Sequence, residues 1–320
     1  MISSERYKSI SNEFKGKRIF ILGDLMLDRY YYGQSSRMSP EAPVPVVDIQ
    51  KIKDSPGGAS NVALNLSSLG AHSVLCGLIG DDVDGEMLIN SLKSHNISIE
   101  GLIKDPSRPT TVKSRIISKD HQVLRMDLEN SEDTTSEINS SVLDTVSNSL
   151  SNVDAIILQD YNKGLLNEIT IKNILSLADE KDIPVYVDPK HRNFSSYQNV
   201  RMFKPNLSEF YSYMPQNQDI ESAGFSFIDE IKCDILMVTR SADGISLFYN
   251  SEHHHIPTKA RSIHDVSGAG DTVIAVYCLS EISGANPLES ALIANHAAGR
   301  VCEKVGVVPI TLSLLDDILN

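Results

Sequence analysis

The stretch DVSGAGDT, residues 265–272, decides how the rest of this chain is read. An apolar run, VIAVYCLS (273–280), follows it without a turn residue. Two glycines flank one alanine, a carboxylate comes next, and a helix is expected to begin there. Glycines let the backbone turn tightly and aim successive N–H groups at one point. A helix N-terminus adds its unpaired N–H groups and the positive end of its dipole to the same point. Together they make an anion site, most often for phosphate. Asp271 does not suit a plain anion cradle, because a carboxylate repels phosphate. It suits phosphoryl transfer, in which the attacking hydroxyl must lose a proton beside phosphorus. The same eight residues also read as a capped turn, since Asp is favoured at helix starts and Gly-x-Gly in turns. The surrounding chain has to separate the two readings.

With 320 residues, 41% hydrophobic and 22% charged, the chain can bury a sizeable core. A large α/β fold accommodates that length as one unit, so a single domain over residues 1–320 is expected. A net charge of −13 argues against nucleic acid or a membrane surface as partner. An anionic substrate would need a local basic pocket and a metal ion to offset that field. The cysteines, Cys76, Cys233, Cys278 and Cys302, are scattered and form no C-x-x-C. They read as small buried hydrophobes in a reducing compartment. No run approaches the roughly 18 apolar residues of a membrane span, and the N-terminal IFIL is too short for a signal peptide. A cytoplasmic location is expected.

Outward from the opening stretch, the chain alternates apolar runs with helical patterns. Residues 18–22 (RIFIL) read as a buried first strand that ends at Asp24. Residues 29–50 carry tyrosines, valines and prolines, which exclude a helix and suggest a two-stranded flap. Residues 56–61 (PGGASN) open a helix that Gly70 closes, and the Gly57-Gly58 pair lets something approach the backbone. Residues 110–129 give a second hairpin around Lys119-Asp120. The segments at about 29–51 and 108–129 are expected to form a small separate sheet, read as a lid. Beyond residue 150, strand after strand ends in polar groups: Asp160 and Lys163, Asp188 and Lys190, Lys204 to Glu209, Thr239 and Arg240 with Gly244 beyond. Ligands bind at the carboxyl ends of strands in open α/β sheets, so this repeat points to a doubly wound enzyme. Asn206 and Glu209 also fit a plain capping box, and lysines are most often solvated. The run His253-His254-His255 reads as an exposed strand or turn, because neighbouring side chains on an extended segment diverge. Asn286 and Pro287 start the last long helix, where Asn295 sits among small residues and Gly306 is the expected end.

Two segments, PGGASNVALNLSSLG (56–70) and DVSGAGDT (265–272), together resemble the signatures of the ribokinase-like (PfkB-type) carbohydrate kinases. The resemblance extends over essentially the whole chain. It implies a doubly wound, mainly parallel sheet flanked by helices, with a small β-sheet lid. GDLMLDRYYYG (23–33), SRMSPEAPVPVV (36–47), DYNKG (160–164), DPK (188–190) and KPNLSEF (204–210) are similar to the branch acting in ADP-heptose synthesis. That branch implies phosphorylation of D-glycero-β-D-manno-heptose 7-phosphate at its anomeric hydroxyl. No nucleotidyltransferase signature occurs in these residues, so the heptose 1-phosphate adenylyltransferase is expected on another polypeptide.

Carried over position by position, the resemblance implies Asp271 as catalytic base and the Gly268, Ala269 and Gly270 backbone as anion hole. It implies sugar contacts from Asp24, Gly57, Gly58 and Asn61, with Asp160 beside them. It implies ATP contacts from Asn206, Leu207, Ser208, Glu209, Thr239, Arg240, Gly244 and Asn295. Mg²⁺ would arrive with ATP near Glu209, with no direct protein ligand set, and a monovalent cation is compatible. Lys163, Lys190, Arg37 and Arg115 are the candidates for the distal phosphate. A homodimer through the lid is expected. Ser267 stands where the family often has threonine, and Asn162 where a small residue is usual. Three alternatives stay open: a kinase for ribose or fructose 6-phosphate, a non-catalytic sugar- or nucleotide-binding regulator, and a NAD oxidoreductase. The last is disfavoured because no G-x-G-x-x-G follows the first strand.

Overall fold

A computed structural model describes residues 2–119, 121–216, 218–258, 265–304 and 306–319. In chain order the elements are α1 (Ser4–Asn12), β1 (Arg18–Gly23), β2 (Leu25–Met38), β3 (Pro45–Gly58), α2 (Ala59–Ser68), β4 (His72–Ile79), α3 (Val83–Ser94) and β5 (Ser98–Lys104). Then come β6 (Val112–Ser118), β7 (His121–Leu128), α4 (Ser136–Ser149), β8 (Ala155–Gln159), α5 (Glu168–Asp179), β9 (Val185–Asp188), β10 (Met202–Phe203), α6 (Leu207–Tyr213) and α7 (Ile220–Ile231). The chain closes with β11 (Ile235–Thr239), β12 (Ile245–Tyr249), β13 (Glu252–Ile256), α8 (Ala269–Ile282), α9 (Pro287–Cys302) and the short α10 (Leu312–Leu315).

The large sheet has the order β13-β12-β11-β10-β9-β8-β1-β4-β5. Its strands are parallel except for the antiparallel β11-β12-β13 edge. Both faces are covered, which is why β1 and β8 are continuous apolar runs rather than alternating ones. Ile19 and Ile21 of β1 pack into one apolar layer, Phe20 and Leu22 into the other. Ala155 and Ile157 of β8 join the first layer, Ile156 and Leu158 the second. Helix α8 is buried from Asp271 to Ser280 and packs against α2 and α9, so its apolar run needs no polar face. Among the described residues, no helix is long and apolar enough to cross a membrane.

The smaller sheet has the order β3-β2-β6-β7. The β2–β3 and β6–β7 pairs are antiparallel, and β2 joins β6 in parallel. The two expected hairpins therefore share one sheet. Its strands reach further than the expected 29–51 segment, because β2 leaves β1 directly after Asp24 and β3 runs on to Gly58. Pro45 pairs with Met38 at the hairpin end. Lys119 ends the β6 side of the second turn, and Asp120 lies outside the described residues.

Two expected helix boundaries are corrected. Helix α8 starts at Ala269, before Asp271, because Gly268 adopts φ +78° as its N-cap and the Thr272 N–H already bonds the Gly268 carbonyl at 2.9 Å. Gly270 and Asp271 thus belong to the first helical turn. Helix α9 stops at Cys302, short of Gly306. The Gly306 N–H instead donates to Asp265 Oδ2 at 3.1 Å and ties the chain to the loop before α8.

Candidate active site

Strands β4 and β5 lie on one side of β1, and β8 to β13 on the other. The winding direction therefore reverses between β1 and β8, and such a switch point opens a crevice at the strands' carboxyl ends. Asp24 leaves β1 there. Its N–H donates to the Gln159 carbonyl at 3.1 Å. Its buried Oδ2 accepts the N–H groups of Tyr161 at 2.7 Å and Lys163 at 3.1 Å. Burial, and then the charge of Asp160, push the Asp24 carboxyl up to about 7 against those two donors. Asp160 turns inward, accepting the Tyr197 hydroxyl at 2.8 Å and the Asn162 N–H at 2.7 Å. Burial raises its pKa as well.

Asp271 meets this crevice from the first turn of α8 and is 3% exposed. Its Oδ1 accepts Gln159 Nε2 at 3.0 Å and the Tyr161 hydroxyl at 2.7 Å. Its Oδ2 accepts Asn61 Nδ2, from α2, at 2.9 Å. Burial drives the carboxyl up to about 7. Bonds from Asn61 and Tyr161 pull it down, Asp188 adds to the rise and Lys204 opposes it. Gly268 is required twice over: its φ is positive, and a Cβ would stand 2.6 Å from Asn61 Nδ2. Gly57 has a packing reason of its own, since a Cβ there would collide with the Asp28 carboxylate.

A cavity of about 440 Å³ lies beyond Tyr161 and Gly270, next to Asp271, which does not itself line it. Asp160, Tyr161, Asp188, Lys190 and Lys204 line it, together with Ala269 and Gly270 of α8. The Ala269 N–H already donates to the Val266 carbonyl at 3.2 Å, so on this wall the Gly270 N–H is the first-turn donor, lacking an intrahelical acceptor, that faces an anion. Of the residues expected at ATP, Asn206, Glu209, Thr239, Gly244 and Asn295 also line it. Leu207, Ser208 and Arg240 do not. Leu207 and Ser208 begin α6 behind its cap, and Arg240 turns aside to Ser246 Oγ at 3.2 Å. Asn206 and Glu209 do form the capping box, with both bonds at 2.9 Å. Asn295 Nδ2 donates to the Pro257 carbonyl at 2.9 Å.

Lys190 pairs with Glu209 and sits 5.6 Å from the centre of the Tyr161 ring. Lys204 is 3% exposed and bonds Asp188 at 2.9 Å. Lys163 pairs with Glu129 at 2.8 Å and joins Asp24, Arg108 and Asn130 around a small second cavity. Arg115 is engaged by Asp28 and lies over the Tyr30 ring. Arg37 pairs with Asp48 at 3.6 Å near the far end of the β2–β3 hairpin. Neither arginine lines either cavity, so the structure brings Lys163 and Lys190 to the crevice and leaves Arg37 and Arg115 in the small sheet. Sequence reasoning missed Gln159, Tyr161 and Lys204. Tyr161 and Lys204 sit inside polar strand ends quoted above and Gln159 directly precedes one, but only contact with Asp271 or Asp188 gives them a task.

The 440 Å³ cavity presents the carboxylates of Asp188 and Glu209, with the inward-turned Asp160 behind them, against two lysines that already have acidic partners. A polyphosphate would enter that wall only with a divalent cation. Among the described residues no group of three His, Cys, Asp or Glu side chains could hold a metal alone. Asp188 and Glu209 on this wall are hard oxygen donors of the kind that hold Mg²⁺ together with phosphate oxygens and water. His253, His254 and His255 lie on β13, where they face Glu221, Glu252 and the Asp243 carbonyl separately.

Comparison with known proteins adds independent findings. The pattern of the pfkB family carbohydrate kinases matches residues 17–312. The bifunctional protein HldE of Vibrio cholerae is 38% identical over 304 residues, 93% of this chain and 63% of the relative. The HldE of Klebsiella pneumoniae is 39% identical over 298 residues, 92% of this chain and 61% of the relative. The chain thus spans under two thirds of the length of these relatives. Phosphofructokinase-2 from Escherichia coli, solved with substrates and products, superposes with a TM-score of 0.81 at 17% identity, over 94% of this chain and 98% of that one. Ribokinase from Arabidopsis thaliana, complexed with ribose and ATP, gives 0.72 at 16% identity, over 95% and 99%. At such identities the likeness is one of fold, and that fold is ribokinase-like.

Proposed function

The chain belongs to the pfkB family of carbohydrate kinases, and from that premise we propose that it transfers the γ-phosphoryl group of ATP to the anomeric hydroxyl of D-glycero-β-D-manno-heptose 7-phosphate, giving the 1,7-bisphosphate. The observation that carries the reading is the position of Asp271. It lies between Asn61, on the Asp24 side of the crevice, and Tyr161 and Gly270, which line the 440 Å³ cavity, so a sugar on one side and a nucleotide on the other would meet near it. The finer choice of sugar is supported by the motifs at 23–33, 36–47 and 160–164, and by HldE relatives at 38–39% identity.

In this reading Asp24 orients sugar hydroxyls, and its two backbone donors fix its own direction. Asp271 takes the proton from the attacking hydroxyl, and the first-turn N–H groups of α8 receive the charge on the phosphoryl oxygens. Lys190 and Lys204 stand beside those oxygens. Mg²⁺, held with the phosphates near Glu209 or Asp188, supplies charge neutralisation when bound. Lys163, at the Asp24 side, is the basic group we assign to the distal phosphate. The small sheet acts as the lid that excludes water. Its outer strand β7 is exposed along its whole length, with Val123, Leu124, Met126 and Leu128 at 43–52% exposure. A second copy covering that edge accounts for the pattern.

The test follows ADP release with heptose 7-phosphate while assaying the reducing end of the sugar. Phosphorylation at the anomeric oxygen removes reducing character in step with ADP. ADP released with the reducing end intact would assign the phosphoryl group to another hydroxyl.

A further inference from the structure

Asp271 has two oxygens in unequal surroundings. A carboxylate oxygen offers two lone-pair sites. Oδ1 has both filled, by Gln159 Nε2 at 3.0 Å and by the Tyr161 hydroxyl at 2.7 Å. Oδ2 has one filled, by Asn61 Nδ2 at 2.9 Å. Tyr161 is itself held rigidly. Its N–H donates to Asp24 Oδ2 at 2.7 Å, and Asp160 fixes the turn beyond it through the Asn162 N–H. Asn162 and Gly164 take positive φ in that turn. Glycine is obligatory at 164, because a Cβ would run into the Glu132 carbonyl. One residue therefore grips both carboxylates that the proposed reaction uses, Asp24 through its backbone and Asp271 through its phenol.

We propose that Tyr161 is the positioning residue of the base, and that by occupying Oδ1 together with Gln159 it leaves Oδ2 as the oxygen that accepts the proton. The inference rests on the reading of Asp271 as base. As the acceptor O–H bond breaks, its proton passes to Oδ2. The freed oxygen forms the new bond to phosphorus, and the bond from phosphorus to the bridging oxygen breaks with its electron pair leaving on ADP. Tyr161 keeps its own proton throughout, since burial and the neighbouring charges of Asp271 and Asp188 hold the phenol well above its usual range. Its hydroxyl donates to the charged form of the base and so favours ionisation. The other groups facing Asp271 are Asp188 from β9, which disfavours ionisation, and Lys204 after β10, which favours it.

Tyr161→Phe isolates the hydroxyl, since the ring beneath Lys190 and the N–H to Asp24 both remain. Wild type, Tyr161→Phe and Asp271→Asn are compared with the sugar that wild type turns over fastest. In Tyr161→Phe we expect kcat to fall roughly tenfold, the loss of one bond to a charged group. The KM for ATP should stay within about twofold, and the acid limb of the kcat–pH profile should move to higher pH because the carboxylate has lost a donor. A Tyr161→Phe enzyme with wild-type kcat and an unmoved acid limb overturns the proposal while Asp271→Asn remains inactive. An active Asp271→Asn enzyme overturns the base assignment itself, and the two failures are thereby separate.

Discussion

At the residue scale the site is a set of buried acids. Asp24 and Asp271 are 4% and 3% exposed, and burial lifts each to about 7. An unfolded chain would ionise both near 4. The folded protein therefore holds more protons than the unfolded one between those values. Its stability is highest at the acid side of that window and is lost as pH rises through about 7. The melting temperature of the ligand-free protein is thus expected to fall between about pH 6 and pH 8, through an effect of order a few kcal/mol at most. His253, whose pKa is lowered by burial, works the other way below about 6.5, outside most of this range. Thermal melts across that range check the sign, and a flat or rising profile would contradict the burial of these two carboxyls. Asp271 and Gly268 were legible in the sequence because a short motif carries them. Gln159 and Tyr161 were not, because their task depends on a helix more than 100 residues away in sequence being laid across the end of β8.

At the scale of elements, helix starts do two kinds of work. Helices α6 and α9 open with the same capping box, Asn206 with Glu209 and Asn286 with Glu289, and all four bonds measure 2.9 Å. Only the first pair lines the 440 Å³ cavity. Asn286→Ala and Asn206→Ala should each cost about 1 kcal/mol in denaturant unfolding. Asn206→Ala should also raise the KM for ATP, while Asn286→Ala leaves it unchanged. Equal effects on KM would reduce Asn206 to a cap, the alternative its sequence pattern always carried. Both boxes could be read from spacing alone. The start of α8 could not, because its boundary depends on Gly268 adopting positive φ, which moved Asp271 inside the helix rather than before it. Arg37 and Arg115 show the limit of sequence reading in the small sheet. Arg37 lies in a quoted motif and Arg115 in the second hairpin, yet each guanidinium is spent on an aspartate of the same small sheet, Asp48 and Asp28.

At the scale of the molecule, the winding order makes the site. Placing β1 between β4 and β8 creates the reversal at which Asp24 and Asp160 emerge side by side, and α8 then crosses their ends. The mainly parallel sheet and the separate small sheet were both readable from apolar runs and prolines. Continuous apolar strands need helices on both faces, and a proline-rich hairpin has no place in such a sheet. The partners of each basic group were not readable, because a chain with net charge −13 offers every lysine several carboxylates and only geometry chooses. The central claim is a sugar kinase whose acceptor is heptose 7-phosphate. Side-by-side kcat/KM values for heptose 7-phosphate, fructose 6-phosphate and ribose, read as ADP released, test it most directly. The account predicts that heptose 7-phosphate exceeds the other two by roughly a hundredfold or more, the scale of discrimination given by fitted polar contacts. An equal or better value for fructose 6-phosphate or ribose, or nucleotide binding with no ADP released from any of the three, would contradict it.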